Sequence, residues 1–96
     1  MSMPYYANTG ADHIRHVLQL EAAYHMRRLA EDLPPHFGEP LLVVARRVKT
    51  GVYNSDEAAA AMARIIGNDR PHPDTESGLH IDAAQAALAA LHALGR

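Results

Sequence analysis

Apolar residues recur along this chain at intervals of three and four, the spacing that collects them on one face of an α-helix. Four segments carry the rhythm. The first is expected to run from about Ala11 to Leu33, capped by Asn8 or Thr9 and stopped by Pro34-Pro35. The second follows Pro40, which suits a first helical turn. Its β-branched run, LLVVARRVKTG, would also suit a strand, but 100° steps put Leu41, Val44, Ala45 and Val48 on one face and keep Arg46, Arg47 and Lys49 off it. Strand alternation would mix Arg46 with Val44 and Val48, so the pattern predicts a helix ended by Gly51. Ser55 is the expected cap of a third helix, with Asp56 and Glu57 in its first turn and Ala58, Ala61, Met62 and Ile65 as its buried face. The fourth helix is expected over Leu79 to Leu94.

Between these lie two loose segments. Residues 1–10, with Pro4, Asn8 and Gly10, read as a flexible N-terminal arm, and 67–78 (GNDRPHPDTESG) as an exposed loop before the last helix. The expected architecture is all-α: a compact bundle of about four helices forming a single domain over 11–96.

Composition sharpens this picture. Of the 96 residues, 48% are apolar, but eighteen are alanine; Trp is absent and Phe occurs once. Alanine favours helix without side-chain entropy loss, and small side chains let helices approach closely. So few large residues make a lone monomer only marginally stable, which points to a homodimer or a bound partner. Helix four is the extreme case: from Ala83 to Leu94 it carries no charge, and Ala83, Ala86, Ala90 and Ala93 lie opposite its main apolar face as a candidate self-association surface. The absence of cysteine excludes disulfide scaffolds, thiolate zinc sites and thiol catalysis. Neither a signal-peptide pattern nor an apolar run long enough to span a membrane is present, so a cytoplasmic protein is expected. A net charge of −2 gives no global attraction to nucleic acid.

Candidate chemistry begins with DHIRHVLQLEAAYH, where three histidines and two carboxylates crowd into residues 12–25. His16 and His25 lie about 13 Å apart along one helix axis, at 1.5 Å per residue, so they cannot share an ion with bonds of about 2 Å. Glu21, His25, Arg28 and Asp32 read instead as a polar surface stripe. No metal and no cofactor are expected. Phosphate loops, dinucleotide fingerprints and nucleophile elbows are absent, so no enzyme and no catalytic residue is expected either.

Three function classes remain. A helix-turn-helix DNA binder would use Arg46, Arg47 and Lys49, but the helix that follows opens with Asp56 and Glu57, which would face phosphate repulsion; nucleic acid is disfavoured. A histidine-based metal protein lacks a ligand set. The favoured reading is a protein-binding module. Its candidate contacts are Tyr5 and Tyr6 on the arm, Arg46, Arg47 and Lys49 on helix two, and Asp69, Arg70, Asp74 and Glu76 near the last loop. A cysteine-free helical domain of this size fits small regulators or inhibitors that occlude a larger complex, with anti-defence proteins of phage and mobile elements, such as anti-CRISPRs, as one candidate class.

Overall fold

The computed structural model describes residues 3–67 and 74–95, with side chains from residue 10 onward except that of residue 11. Four helices account for nearly all of it: α1 (Met3–Asp32), α2 (Pro35–Lys49), α3 (Ser55–Ile66) and α4 (Glu76–Leu94). The all-α bundle expected from the spacing of apolar residues is therefore the fold, and the LLVVARRVK run is helical.

The starts of α2, α3 and α4 differ from expectation through their capping chemistry, and the start of α1 differs as well. Helix α1 begins at Met3, so the expected arm over 1–10 is helical from its third residue and Asn8 and Thr9 lie inside the helix. Pro4 falls in the first turn, where a missing N–H costs nothing. Helix α2 begins at Pro35 rather than at Pro40, because Pro35 takes the N1 position and the Pro34 carbonyl accepts from the amides of Phe37 and Gly38. Pro40 is inside the helix and removes one internal hydrogen bond. Asn54, not Ser55, caps α3: its side chain accepts from the Glu57 amide at 2.8 Å while the Glu57 carboxylate accepts from the Asn54 amide at 2.9 Å. Thr75 caps α4 through the Gly78 amide at 3.1 Å, starting that helix three residues before Leu79. Gly51 and Gly67 follow α2 and α3 with φ of +80° and +55°, a region that side chains rarely adopt.

Helix α1 packs on both α2 and α4, and α3 closes the other side by packing on the same two; α1 and α3 stand diagonally opposed. Neighbours run antiparallel. At one end Gln19 of α1 meets Gly51 beyond α2, and His92 of α4 meets Asp56 of α3 at 3.2 Å. Toward the other end, α1 and α4 are joined by Arg28 to Glu76 at 3.1 Å and by Ser77 to Asp32 at 3.0 Å. Helix α1, with 30 residues, is twice the length of α2, and its N-terminal turns extend past the bundle in a particle of 52 × 24 × 20 Å. No helix among the described residues is long and apolar enough to cross a membrane.

The core gathers Ala22, Ala23, Met26, Leu29 and Ala30 from α1, Leu41, Val44, Ala45 and Val48 from α2, Ala58, Met62 and Ile66 from α3, and Ile81, Ala84, Ala87 and Leu88 from α4. The expected face of α2 is buried as read, and on α4 Ile81, Ala84 and Leu88 are buried with Leu91 half-buried beside them. On α3 the buried row is Ala58, Met62 and Ile66, with Ala61 and Ile65 half-buried beside it.

Small residues set the helix separation. A Cβ placed on buried Gly38 would lie 2.7 Å from the carbonyl oxygen of Ala30, closer than van der Waals contact permits. The Gly38→Ala protein should therefore be destabilised by about 1–3 kcal/mol, the usual cost of overpacking, despite alanine's better helix propensity. A urea-denaturation midpoint equal to or above that of the native chain would contradict this close approach.

Candidate protein-binding face

The basic run of α2 does not act as one cluster. Arg47 turns toward the α2–α3 connection, where its guanidinium donates to the Tyr53 hydroxyl at 2.8 Å and lies 5.3 Å from the centre of that ring. Arg46 and Lys49, one helical turn apart on another face of α2, meet Arg27 of α1. These three cations and Leu42 line a shallow depression of about 160 Å³ between the two helices. Leu42 is 41% exposed. Among the described residues, none of the three cationic side chains is engaged in an ion pair or a side-chain hydrogen bond. Solvated but uncompensated, they give a chain of net charge −2 a local positive field.

Arg27 was not legible as part of this site, since it lies in a different helix and its neighbour Arg28 looks equivalent in sequence. The structure separates them: Arg28 is bonded to Glu76 at 3.1 Å and sits 3.6 Å from Glu31, on the flank of α1 that meets α4.

The outer side of α1 continues the face. Ile14, Val17, Leu20 and Tyr24 are 52%, 46%, 37% and 45% exposed, although the opposite side of the same helix supplies the core. Val17, Leu20, Tyr24 and Arg27 follow the intervals three, four and three, so the apolar stripe runs along the helix into the cationic depression.

The other expected contact residues are dispersed. Tyr5 and Tyr6 fall on α1, with side chains outside the described residues. Asp69 and Arg70 also lie outside the described residues. Asp74 is exposed just before α4, and Glu76 is held in the first turn of α4 by Arg28. Of the alanines assigned to self-association, Ala83 is half-buried and Ala86, Ala90 and Ala93 are exposed.

The histidines need a correction. His25 is not part of a solvated stripe: it is half-buried on the α1–α4 seam, with its Nδ1 2.9 Å from the Nδ1 of His80. The Tyr24 ring stands edge-on to both imidazoles, with centroids at 5.1 and 6.4 Å. Glu76 lies one turn before His80, with Oε1 3.7 Å from His80 Nε2, just as Glu21 lies one turn before His25. Starting the fourth helix at Leu79 leaves Glu76 outside it, which hid the one-turn spacing of Glu76 and His80. Partial burial lowers the His25 pKa from its ordinary value, the nearby His80 lowers it further, and Glu21 opposes both. No group of three or more metal-ligating side chains converges among the described residues.

Fold and face together define a small antiparallel four-helix bundle with a cationic groove continuous with an apolar stripe. Comparison with protein-family models, with curated proteins and with solved structures finds no match to this chain.

The different settings of the α2 cations should show in stability. Replacing Arg47 by Ala loses a hydrogen bond and a ring contact and is expected to cost about 1 kcal/mol. Replacing Arg46 or Lys49 by Ala should stay within about 0.5 kcal/mol, as for unpaired surface residues. Thermal unfolding of the three variants side by side checks the contrast, and equal losses would mean that Arg46 and Lys49 also serve the fold.

Proposed function

We propose that this protein is a protein-binding module that seats an acidic, amphipathic helix of its partner along α1 and the α1–α2 groove. The observation that carries the reading is the convergence of Arg27, Arg46 and Lys49 around exposed Leu42, with none of the three in an ion pair among the described residues. Folding gains nothing from holding like charges together, so their grouping is explained best by a complementary ligand. Carboxylates on one turn of the partner helix meet the three cations, and its apolar positions lie against Leu42 and the Leu20–Tyr24 stripe. Long cationic side chains beside apolar surface contribute through their stems as well as their charge. Stoichiometric occlusion of a larger complex, as small regulators and inhibitors practise it, is the mode of action that a rigid bundle with one such face suits.

The test uses a helical peptide library displayed against the immobilised full chain. Recovered sequences should be rich in Asp and Glu at one end and should carry apolar anchors at helical spacing. The Arg46→Glu/Lys49→Glu protein should keep its fold and lose at least about tenfold in affinity for them, about 1.4 kcal/mol. A duplex-DNA arm separates the competing reading. Binding to DNA whose affinity falls with a log–log salt slope near about −2.7, at about −0.9 per phosphate contacted, would transfer the cations to a nucleic-acid interface.

A further inference from the structure

We propose that His25 and His80 form a proton-operated latch between α1 and α4, closed when the pair holds at most one proton beyond its neutral state and opened by the second. The proposal rests on the seam geometry and is independent of what binds the α1–α2 groove.

Two imidazole nitrogens 2.9 Å apart are at hydrogen-bonding distance, so one must carry a hydrogen and the other a lone pair. The surroundings assign which. The Glu76 carboxylate beside His80 Nε2 favours a hydrogen on that nitrogen, leaving His80 Nδ1 as the acceptor and His25 Nδ1 as the donor. One added proton is tolerated. It goes to the outer nitrogen of His25, where burial and His80 oppose it and Glu21 partly offsets them, and it turns the bond between the rings into a charge-assisted one. The second proton is not tolerated. It would set two N–H groups against each other on adjacent imidazolium rings, and the rings must part.

The charged groups around the pair make the latch specific to this seam. From α1, Glu21, Tyr24 and Arg28 face it; from α4, Glu76 does. Arg28 already shares Glu76 and Glu31, and Glu21 stands one turn before His25; with the two Nδ1 atoms 2.9 Å apart, no carboxylate can lie between the facing N–H groups of a doubly charged pair. The Asp56–His92 contact between α3 and α4 is at the far end of the bundle, and the cations shared with α2 lie on the other flank of α1. A metal ion is a poorer account of the same geometry: only two nitrogens converge, and Glu76 addresses the far nitrogen of His80.

The sign of the pH dependence follows from proton counting. The closed seam holds one extra proton at most, whereas each separated ring can take up its own, His25 as the pH falls below its ordinary value of about 6.5. Opening therefore binds a proton below that value, and the lowered His25 pKa acts in the same direction. Stability from the latch is complete above about pH 6.5 and falls by about one decade per pH unit as the solution is acidified. Because Tyr24 touches both rings, opening also shifts the exposed aromatic of the α1 stripe.

The experiment measures amide hydrogen-exchange protection in the full chain at pH 7 and pH 5, together with the imidazole nitrogen resonances. The comparison proteins are His80→Asn and His25→Asn, whose amide can replace an Nδ1 contact without titrating. Protection in α4 around Ile81 should fall more than about tenfold in the native chain and less than about threefold in either variant, by that proton count. At pH 7 one Nδ1 should be protonated and its partner bare, and both should carry hydrogen after opening. Parallel losses in all three proteins, or two independent titrations with unchanged α4 protection, would overturn the latch. The nitrogen resonances of the native chain separate these outcomes even if neither variant folds.

Discussion

The carbonyl oxygen of Ala30 occupies the space that a side chain at position 38 would need, and that contact sets how near α1 and α2 can lie. Close approach there draws Ala30 against α2, while Ala23 and Leu29 of the same helix join the core. The second half of α1 thus serves as the spine on which α2 and α4 are hung, with α3 bridging them on the far side. A core in which seven of sixteen residues are alanine gains little per residue from burial and depends on many short-range contacts between backbones. Glycine and alanine at the seams are consequently structural requirements of this bundle.

A spine that buries only one side leaves the other side free, and the first half of α1 extends where α2 and α3 do not follow. The exposed row of Ile14, Val17, Leu20 and Tyr24 is the direct result. Burial of one face is reason enough for α1 to be helical, so the apolar character of the opposite face is unexplained by folding. Charge placement repeats the theme. Acidic residues are largely used within the molecule, with Glu57 in a cap, Glu76 on Arg28 and Asp32 on Ser77, whereas Arg27, Arg46 and Lys49 are not. The cationic groove and the histidine seam lie on opposite flanks of α1, and Tyr24 of the apolar stripe between them touches both imidazoles.

Sequence alone determined the fold class and most of the core, because helix formation and burial share one signal, the three-and-four spacing of apolar residues. Leu41, Val44, Ala45 and Val48 could be assigned to a buried helical face against their own strand propensity, since only that face excludes the neighbouring cations. Helix ends were less legible. Asn54 and Ser55 are both good caps, and only the reciprocal bonds with Glu57 distinguish them. Partnerships across helices were beyond reach. His25 and His80 are 55 residues apart, and nothing in the local pattern of either segment encodes which ring it meets. Arg46 and Arg47 are chemically identical neighbours, yet a 100° step sends one to Tyr53 and the other to Arg27 and Leu42. Periodicity fixes which face of a helix is buried; which residues meet on the remaining faces depends on how the helices are set against one another, and that is decided by the small side chains at their seams.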